Sequence, residues 1–305
     1  MTPTLEPSPA LPATTAAPLP FFVNAKAGEL HASTGASEFQ TLADGLGLAI
    51  EIIPTKSADD MVSRLKQCRA DGVPRVAVAG GDGTVALAAQ TLAGGDTVLG
   101  VIAQGTANNF ATSLRLPADL PGAMRVLKEG TVSAVDLGRI GDQYFTESAG
   151  VGLFADALSL YDGVHKSVWR TIWTYGKILL GARAKRMRLI VDGEPHTERA
   201  VWCEVANSFR IGLGVVVAPD AKLTDGMLDV VILGDLPLKD MWTIFNAIRT
   251  QTHHALPQVT MTRAREVRIE SRHKMNVHSD DAIVGTTPVS ITIAPGILKV
   301  LVDRL

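Results

Sequence analysis

Two short glycine-rich segments carry residue types that suit phosphate binding. The first reads GGDGT at 80–84, and the second reads GTANNFA at 105–111. Glycine lets backbone N–H groups approach a ligand closely, and the N-terminus of a following helix favours negative charge. Asp82 would repel bare phosphate, so its expected use is to hold a Mg2+ ion that the phosphates share. The alternative is a tight strand-to-helix turn in which Asp82 caps the helix.

The elements that must position these segments alternate between short apolar runs and longer amphipathic runs. We predict strands at 21–23, 48–53, 75–80 and 98–103, and helices at 33–46, 58–70 and 84–92. Strands that alternate with helices at this spacing predict an α/β domain with a parallel sheet. Ligands bind beyond the carboxyl ends of the strands in such sheets, and both glycine segments would fall at that edge.

The character of the chain changes near residue 133, where runs rich in Val, Ile and Thr replace the helices. These runs predict a mainly antiparallel β-sandwich domain, with a hairpin turn at Asp192-Gly193. The resulting division is a disordered tail at 1–20, a nucleotide-binding α/β domain at 21–133 and a β-rich substrate domain at 134–305. The last residues can return to the first domain.

Composition restricts the classes of function. The chain has 305 residues, 46% of them hydrophobic, and a formal net charge of -2, which gives no reason to expect a nucleic-acid partner. No run approaches the roughly 18 consecutive apolar residues that suggest a membrane span. The first twenty residues lack the pattern of a signal peptide, and only two cysteines are present. These features predict a cytoplasmic protein.

The glycine segments belong to a larger set of motifs. NAKAG at 24–28, GGDGT, GTANNFA and PDAKLTDGMLDV at 219–230 occur in this order. Together they resemble the diacylglycerol kinase catalytic-domain family, specifically the bacterial soluble lipid kinases, over nearly all of the chain from Phe21. GGDGT alone is not decisive, because NAD kinases and phosphofructokinases carry similar loops.

The resemblance implies a fold and a function. It implies an NAD kinase/diacylglycerol kinase-like fold and ATP-dependent phosphorylation of a lipid hydroxyl, such as that of diacylglycerol, with ATP and Mg2+ as cofactors. It also implies peripheral association with a membrane surface, and a homodimer is one assembly that we consider. Two alternatives remain open: an NAD-kinase-like phosphotransferase acting on a soluble nucleotide, and a nucleotide- or lipid-binding protein with impaired catalysis.

Site residues follow from the resemblance position by position. Asp82 corresponds to the magnesium-organising carboxylate, and Asp136 to an acidic residue at the domain junction, although a strand-end turn is an equal reading for Asp136. The positions that match nucleotide contacts are Asn24, Thr55, Gly80, Gly81, Asp82, Gly83, Thr84, Gly105, Thr106 and Asn108. Asn109 stands where many relatives have Asp, which removes one potential magnesium partner.

A second metal site is implied at the DG turn. In relatives a structural metal is held by an Asp side chain, here Asp225, and by the backbone oxygens at the positions of Lys222 and Met227. Oxygen ligands of this kind suit Mg2+. The alternative is a plain β-turn.

The segment HSDDAIVGTTPV at 278–289 departs from the family pattern. Relatives have DGE before GxTP, and alignment from Pro288 places Ala282 on the catalytic Glu. Its expected role is general base for the lipid hydroxyl, which Ala cannot perform. We therefore expect Asp280 or Asp281 to accept the proton.

The window 163–191 contains seven Lys or Arg residues, two Trp and a Tyr, and no Asp or Glu before 191. This composition is typical of a segment at the surface of an anionic membrane. The alternative is a helix that packs its aromatic residues against the second domain and leaves a solvated basic face.

Overall fold

The computed structural model describes residues 17–24, 32–160, 184–212, 214–235, 243, 246–247 and 250–304. The chain divides into two compact units. Unit 1 comprises Met1–Asp136 and Gly296–Leu305, and unit 2 comprises Leu137–Pro295. The strands β5 (Thr131–Ile140) and β18 (Val289–Val302) each contribute residues to both units. The chain therefore leaves unit 1 near Asp136 and returns to it at Gly296, whereas the sequence placed the boundary at 133/134.

Unit 1 is built from alternating strands and helices. Its elements are β1 (Leu19–Asn24), α1 (Ala32–Leu46), β2 (Ile50–Thr55), α2 (Ala58–Ala70), β3 (Arg75–Gly80), α3 (Asp82–Leu92), β4 (Val98–Ala103), α4 (Asn109–Ser113) and α5 (Leu120–Glu129). The strands lie in the order β2-β1-β3-β4, all parallel, and the end of β18 runs parallel to β4. The predicted parallel α/β sheet is confirmed.

The core of unit 1 follows from the apolar runs. The strand β3 (RVAVAG) is buried at five of its six residues, as expected for a central parallel strand with both faces covered. Phe21, Phe39, Ile102 and Leu127 belong to one buried cluster between the sheet and the helices. This core fixes the positions at which the strands end.

Several predicted element boundaries were wrong. The first strand begins at Leu19 rather than at residue 21, so the predicted tail at 1–20 overlaps the start of β1, and the second strand ends at Thr55 rather than at residue 53. The second strand begins at Ile50 rather than at residue 48, because Gly47 (φ +61°) ends α1 and the N–H of Leu48 donates to the carbonyl of Ala43. The helix α3 begins at Asp82 rather than at Thr84, with Gly81 as its N-cap residue. The glycine loop is consequently shorter than predicted.

Unit 2 is mainly antiparallel. Its elements are β6 (Gln143–Phe145), β7 (Ser148–Gly152), α6 (Leu153–Leu160), β8 (Lys185–Val191), β9 (Glu194–Ala200), β10 (Trp202–Ala206), β11 (Arg210–Ile211), β12 (Val215–Val216), β13 (Leu228–Leu233), a 3-10 turn (His253–Ala255), β14 (Val259–Ala264), β15 (Glu266–Ser271), β16 (Asn276–Ser279) and β17 (Ala282–Thr286), followed by the first part of β18. One six-stranded sheet has the order β14-β13-β10-β7-β16-β17. The strands β9, β8, β15 and β18 pair antiparallel in that order.

A single buried cluster joins these two sets of strands. Val151 and Val205 come from the six-stranded sheet, and Leu189, Ile269 and Ile291 come from the other strands. Side chains from the inner faces of two sheets that form one core define a β-sandwich. The predicted antiparallel β domain is confirmed.

The predicted hairpin at 192–193 is also confirmed. β8 and β9 pair up to Val191 and Glu194, and the two intervening residues both have positive φ, +48° at Asp192 and +88° at Gly193. The Asp192 carboxylate accepts hydrogen bonds from the N–H groups of Arg265 and Glu266, at 2.9 and 2.8 Å. The turn therefore also fixes the start of β15.

Replacing Asp192 with Ala should lower the free energy of unfolding by about 1–2 kcal/mol, because two backbone donors lose their acceptor and Ala is strained at positive φ. Asp192→Asn keeps an acceptor oxygen and tolerates positive φ, so its loss should be smaller. Urea denaturation of both variants measures the difference. An Ala variant as stable as the original protein would contradict the assigned role of the carboxylate.

Candidate functional site

The two glycine segments meet at one edge of the unit 1 sheet. β3 and β4 are neighbours, with Gly80 opposite Ala103 at their carboxyl ends. The N–H of Gln104 donates to the carbonyl of Gly80 at 2.8 Å, so the pairing continues into the loops. The prediction that both segments fall at the same edge is confirmed.

Direct contact between two glycines makes this meeting possible. A Cβ atom added to Gly105 would lie 2.7 Å from the Cα of Gly81, and one added to Gly81 would lie 3.3 Å from the Cα of Gly105. The first distance is shorter than any real Cβ contact, and the neighbouring atom is backbone. A side chain at position 105 would therefore push the two loops apart.

Asp82 joins the loops through its carboxylate. Oδ2 accepts a hydrogen bond from the N–H of Asn108 at 2.8 Å, and Oδ1 accepts one from the N–H of Asn109 at 2.7 Å. Asp82 is the first residue of α3, yet no side-chain cap of that helix is present. The carboxylate of Asp82 therefore binds the start of α4 and does not cap α3.

Asn108 shapes the second loop. It has φ +52°, a left-handed conformation that Asn tolerates better than most residues. Its Oδ1 accepts from the N–H of Gly105 at 2.7 Å, and its Nδ2 donates to the carbonyl of Gly105 at 3.0 Å. The side chain therefore closes the loop on itself just before α4. Thr106 lies within this loop and is exposed.

The ends of the other two strands contribute Asn24 and Thr55, which are opposite each other in the register of β1 and β2. Asn24 Nδ2 donates to Thr84 Oγ1 at 3.3 Å, which ties β1 to the first turn of α3. Thr55 is buried, and its hydroxyl donates to the carbonyl of Val23 at 3.2 Å. Thr55 therefore holds the end of β1 through a hydrogen bond, whereas Asn24 contacts the last residue of the GGDGT segment.

This edge fits a phosphate group. The helix α3 starts directly after Gly81, and the first N–H groups of a helix have no partner within it and favour an anion. Gly83 is exposed in that first turn. Each oxygen of Asp82 accepts one N–H and keeps a further lone pair, with which it could bind Mg2+ or its water. The binding roles of these residues stay predictions.

Asp136 lies where the chain leaves unit 1. The residue is 3% exposed, and its Oδ1 accepts a hydrogen bond from the N–H of Gly296 at 2.7 Å. The carboxylate thus ties β5 to β18 at the point where the chain re-enters the unit. This contact gives Asp136 a structural role that neither reading of the sequence had included.

In unit 2, Asp280 lies in the turn between β16 and β17, and its carboxylate is already engaged. Oδ2 accepts from the N–H and hydroxyl of Thr146, at 3.0 and 3.2 Å, and Oδ1 accepts from the N–H groups of Glu147 and Ser148, at 2.8 and 3.3 Å. Burial raises the pKa of Asp280, and these donors act in the opposite direction. The carboxylate holds the start of β7, which no sequence pattern had indicated.

Asp281 differs from its neighbour. It is exposed at the tip of the same turn, and Ala282 beside it is exposed as well. A general base needs a lone pair that can reach the substrate. Of the two aspartates predicted to replace the missing Glu, Asp281 meets that requirement better, because the oxygens of Asp280 are occupied by four donors.

The turn at Asp225, where the sequence predicted a metal, is contacted by the guanidinium of Arg263 from β14. The sequence had not indicated this contact. Asp225 Oδ1 accepts from the N–H of Met227 at 3.1 Å, and Oδ2 contacts the guanidinium of Arg263. Arg263 pairs with Asp229 in the register of β13 and β14, and its Nε lies 3.8 Å from Asp229 Oδ1. Burial raises the pKa of Asp229 to about 6, against the effect of Arg263.

The carboxylate oxygens at this turn suit a bound cation only in part. Asp229 Oδ2 is buried and has no hydrogen-bond partner among the residues that the structure describes, which suits an added positive charge. The guanidinium of Arg263, however, already neutralises the carboxylate of Asp225, the side-chain ligand that the family pattern implies. The metal set of Lys222, Asp225 and Met227 stays a prediction.

Most of the basic window 163–191 lies outside the described residues, which omit 161–183. Its last residues form β8, where Lys185, Arg186 and Arg188 are exposed. Among the described residues, no helix has the length and apolar character needed to cross a membrane. The predicted membrane role of the window stays untested.

The structure defines an α/β unit and a β-sandwich unit, and comparison with known proteins gives the family. Residues 18–140 match the diacylglycerol kinase catalytic domain, and residues 166–302 match the YegS C-terminal NAD kinase beta sandwich-like domain. A diacylglycerol kinase of Mycobacterium tuberculosis is 31% identical over 274 residues, covering 85% of this chain and 86% of its own. The chain belongs to the diacylglycerol kinase catalytic-domain family.

A further relative resembles the chain in sequence, and solved structures share its fold. A diacylglycerol kinase of Bacillus subtilis is 27% identical over 77% of this chain and 79% of its own. A crystal structure of a diacylglycerol kinase from Bacillus anthracis superposes with a TM-score of 0.73 at 21% identity, covering 94% of this chain and 97% of that one. Yeast NADH kinase shares the fold at a TM-score of 0.50 and 10% identity, over 94% of this chain and 84% of that one.

Gly105→Ala should weaken the binding of Mg2+-ATP by about tenfold or more, because the new methyl group would displace the loop that Gly81 contacts. Gly45→Ala is the matched control, since a Cβ atom at Gly45 would meet nothing within 4 Å. Isothermal titration calorimetry on both variants measures the effect. Equal affinities in the two variants would contradict the contact as a requirement for binding.

Arg263→Gln should make the stability of unit 2 depend on a divalent cation, because two neighbouring carboxylates lose their positive partner. We expect a loss of about 1 kcal/mol in the presence of EDTA, of which Mg2+ restores a part. Thermal unfolding of the original protein and the variant, each with EDTA and with Mg2+, measures this. An identical response of the two proteins to Mg2+ would show that Arg263 does not substitute for a cation.

Proposed function

We propose that this protein is an ATP-dependent lipid kinase that transfers the γ-phosphate to a lipid hydroxyl such as that of diacylglycerol. The observation that carries the proposal is the joining of the two glycine loops by Asp82, which accepts the N–H groups of Asn108 and Asn109. Two backbone loops held at one sheet edge offer N–H groups and a helix N-terminus to a triphosphate. Family membership supports the kinase class.

The reaction requires few covalent steps from the protein. The hydroxyl oxygen attacks the γ-phosphorus, the bond to the leaving oxygen of ADP breaks, and the hydroxyl proton goes to a base. Catalysis of this transfer comes mostly from positioning and from neutralising charge on the phosphates. Mg2+, when bound, would supply that neutralisation, and Asp82 is the residue proposed to organise it.

We propose that the carboxylate of Asp281 accepts the proton of the lipid hydroxyl. Ala282 has no acceptor, and the oxygens of Asp280 hold the backbone of 146–148. Asp281 stands one position from the family's Glu, is exposed, and has a shorter side chain. A displaced base lowers the rate without removing the contribution of phosphate binding, since loss of a general base typically costs about 100- to 10,000-fold.

Two other functions can be tested with the same purified protein. An NAD-kinase-like activity would use a similar loop, but the segment after β4 reads GTANNFA rather than a recognisable NAD kinase motif. A binding protein without catalysis would follow if neither aspartate replaces the missing Glu. The retained loop contacts favour nucleotide binding in either case.

The direct experiment incubates the purified protein with radiolabelled ATP and Mg2+. Parallel reactions contain mixed vesicles with diacylglycerol, vesicles with other lipid alcohols, or NAD. Labelled phosphatidic acid or another labelled lipid is the expected product. Labelled NADP would replace the proposal by the NAD kinase alternative. No product from protein that still binds ATP would leave only a binding function.

Asp281→Asn should lower kcat by about 100-fold or more while leaving the KM for ATP nearly unchanged, because the carboxamide cannot accept the proton. Asp142→Asn serves as the control, since Asp142 is a fully exposed turn residue. Ala282→Glu should raise kcat above that of the original chain. Unchanged kcat in Asp281→Asn would exclude Asp281 as the base.

A further inference from the structure

Unit 2 contains a buried pair of charged side chains that the proposed reaction does not use. Glu204 on β10 and His278 on β16 are both fully buried, and His278 Nε2 lies 3.0 Å from Glu204 Oε2. The Trp202 indole N–H donates to the same oxygen at 2.6 Å. Burying a carboxylate and an imidazole costs free energy unless they are paired, and even a buried pair contributes little net stability. The pair therefore suggests a role other than stabilising the fold.

The strand between them explains how the pair forms. The sheet order is β10-β7-β16, and Gly150 on β7 lies opposite Glu204 on one side and His278 on the other. A Cβ atom at Gly150 would come within 2.7 Å of Glu204 Oε2. The missing side chain leaves the space in which the two side chains meet across the middle strand.

The second ring nitrogen of His278 reaches the turn that carries Asp281. Nδ1 lies 3.2 Å from the carbonyl oxygen of Asp280. Phe154 of α6 packs its ring edge to face against the imidazole, with centroids 4.7 Å apart, and so fixes the plane of the ring. Both partners of the imidazole are acceptors, a carboxylate oxygen and a carbonyl oxygen. Only the doubly protonated imidazolium can donate to both.

The turn between β16 and β17 has a backbone conformation that its hydrogen bonds must stabilise. Asp280 has φ +48°, a left-handed conformation that is uncommon outside glycine, although Asp tolerates it better than most residues. Its N–H donates to the carbonyl of Ser148 at 2.8 Å, and its carboxylate accepts the donors of 146–148. The contact from His278 constrains the carbonyl, which is the remaining polar group of this residue. Every polar group of Asp280 is then fixed, and Asp281 follows directly.

We propose that His278 is a positioning residue: its imidazolium, paired with Glu204 across Gly150, fixes the carbonyl of Asp280 and thereby the direction in which the turn presents Asp281. The effect of His278 on catalysis rests on the proposed kinase function. Its effect on the conformation of the turn does not depend on that function. Loss of the Nδ1 proton would place a lone pair against the Asp280 carbonyl and loosen the turn.

The surroundings decide how this group titrates. Burial by itself lowers the pKa of His278, but the charge and hydrogen bond of Glu204, with the carbonyl and charge of Asp280, raise it above its ordinary value. The strands β7 and β17 bring no titratable side chain, and Asp156 of α6 is paired with Lys185 at 3.5 Å. The raised pKa means that the stabilising contact is complete below about pH 6.5 and is lost as the pH rises through the pKa of the folded protein.

Nuclear magnetic resonance of the full chain with 15N-labelled histidine tests the proposal without any assay of activity. At pH 6, both ring nitrogens of His278 should resonate as protonated, and the midpoint should lie above the ordinary value of about 6.5. The amide resonance of Asp281 should shift with the same midpoint. A singly protonated ring at pH 6, or an Asp281 amide that ignores the titration, would overturn the proposal.

Variants test the consequence for catalysis. Because the turn loosens when His278 loses its proton, kcat of the original protein should fall as the pH rises through the pKa of His278. His278→Gln, which has one donor and one acceptor group, should lower kcat by up to about 100-fold at pH 7 with little change in the KM for ATP, and should remove that fall. His196→Gln changes an exposed histidine of β9 and should keep the original profile. A His278→Gln variant with the original kcat and pH profile would overturn the proposal.

Glu204→Gln gives a second readout if His278→Gln does not fold. It should lower the His278 midpoint in the histidine spectrum, because the ring loses its negative partner. An unchanged midpoint would count against the proposal. Failure of the proposed kinase function would appear separately, as absence of product from protein whose histidine and Asp281 resonances still titrate together.

Discussion

The carboxylate of Asp82 is the interaction on which the candidate site depends. It accepts the N–H groups of Asn108 and Asn109, and so joins a loop that follows β3 to a loop that follows β4. Hydrogen bonds from two backbone donors to a charged acceptor are stronger than hydrogen bonds between neutral groups, and both loops are otherwise short. The contact of Gly81 with Gly105 adds a steric condition, since position 105 has no room for a side chain and position 81 has little. One carboxylate and two glycines therefore fix how the two loops meet at this edge of the sheet.

Much of this arrangement could be predicted from the sequence. The alternation of apolar strands and amphipathic helices predicted the parallel sheet, and parallel strands bring their carboxyl ends to one edge, so the meeting of the two loops followed. The family motifs added the chemistry. The role of Asp82 as a bridge between loops could not be predicted, because the letters GGDGT are also compatible with a helix cap. Only the positions of the backbone donors at Asn108 and Asn109 distinguish the two.

The residues that sequence reasoning missed in unit 2 share one cause. The register of β13 and β14 places Arg263 opposite Asp229 and near Asp225, and the register of β10, β7 and β16 brings Glu204 to His278. Register is set by the pairing of whole strands and by the packing of one face, which single residues do not reveal. The same cause explains Asp280: its left-handed turn and its donors at 146–148 depend on the neighbouring strand β7. The sequence indicated both aspartates that precede the position of the missing Glu, but it could not distinguish the carboxylate that accepts backbone donors from the exposed one.

We propose that the carboxylate of Asp82 holds together the loops that bind Mg2+-ATP. Calorimetric titration of ATP into the original protein and into Asp82→Asn, each with Mg2+ and with EDTA, measures this role. We expect one Mg2+-dependent binding event in the original protein and an affinity at least about tenfold lower in the variant, because the amide replaces one acceptor oxygen by a donor. An original protein that binds no ATP, or equal affinities in the two proteins, would refute this role of Asp82.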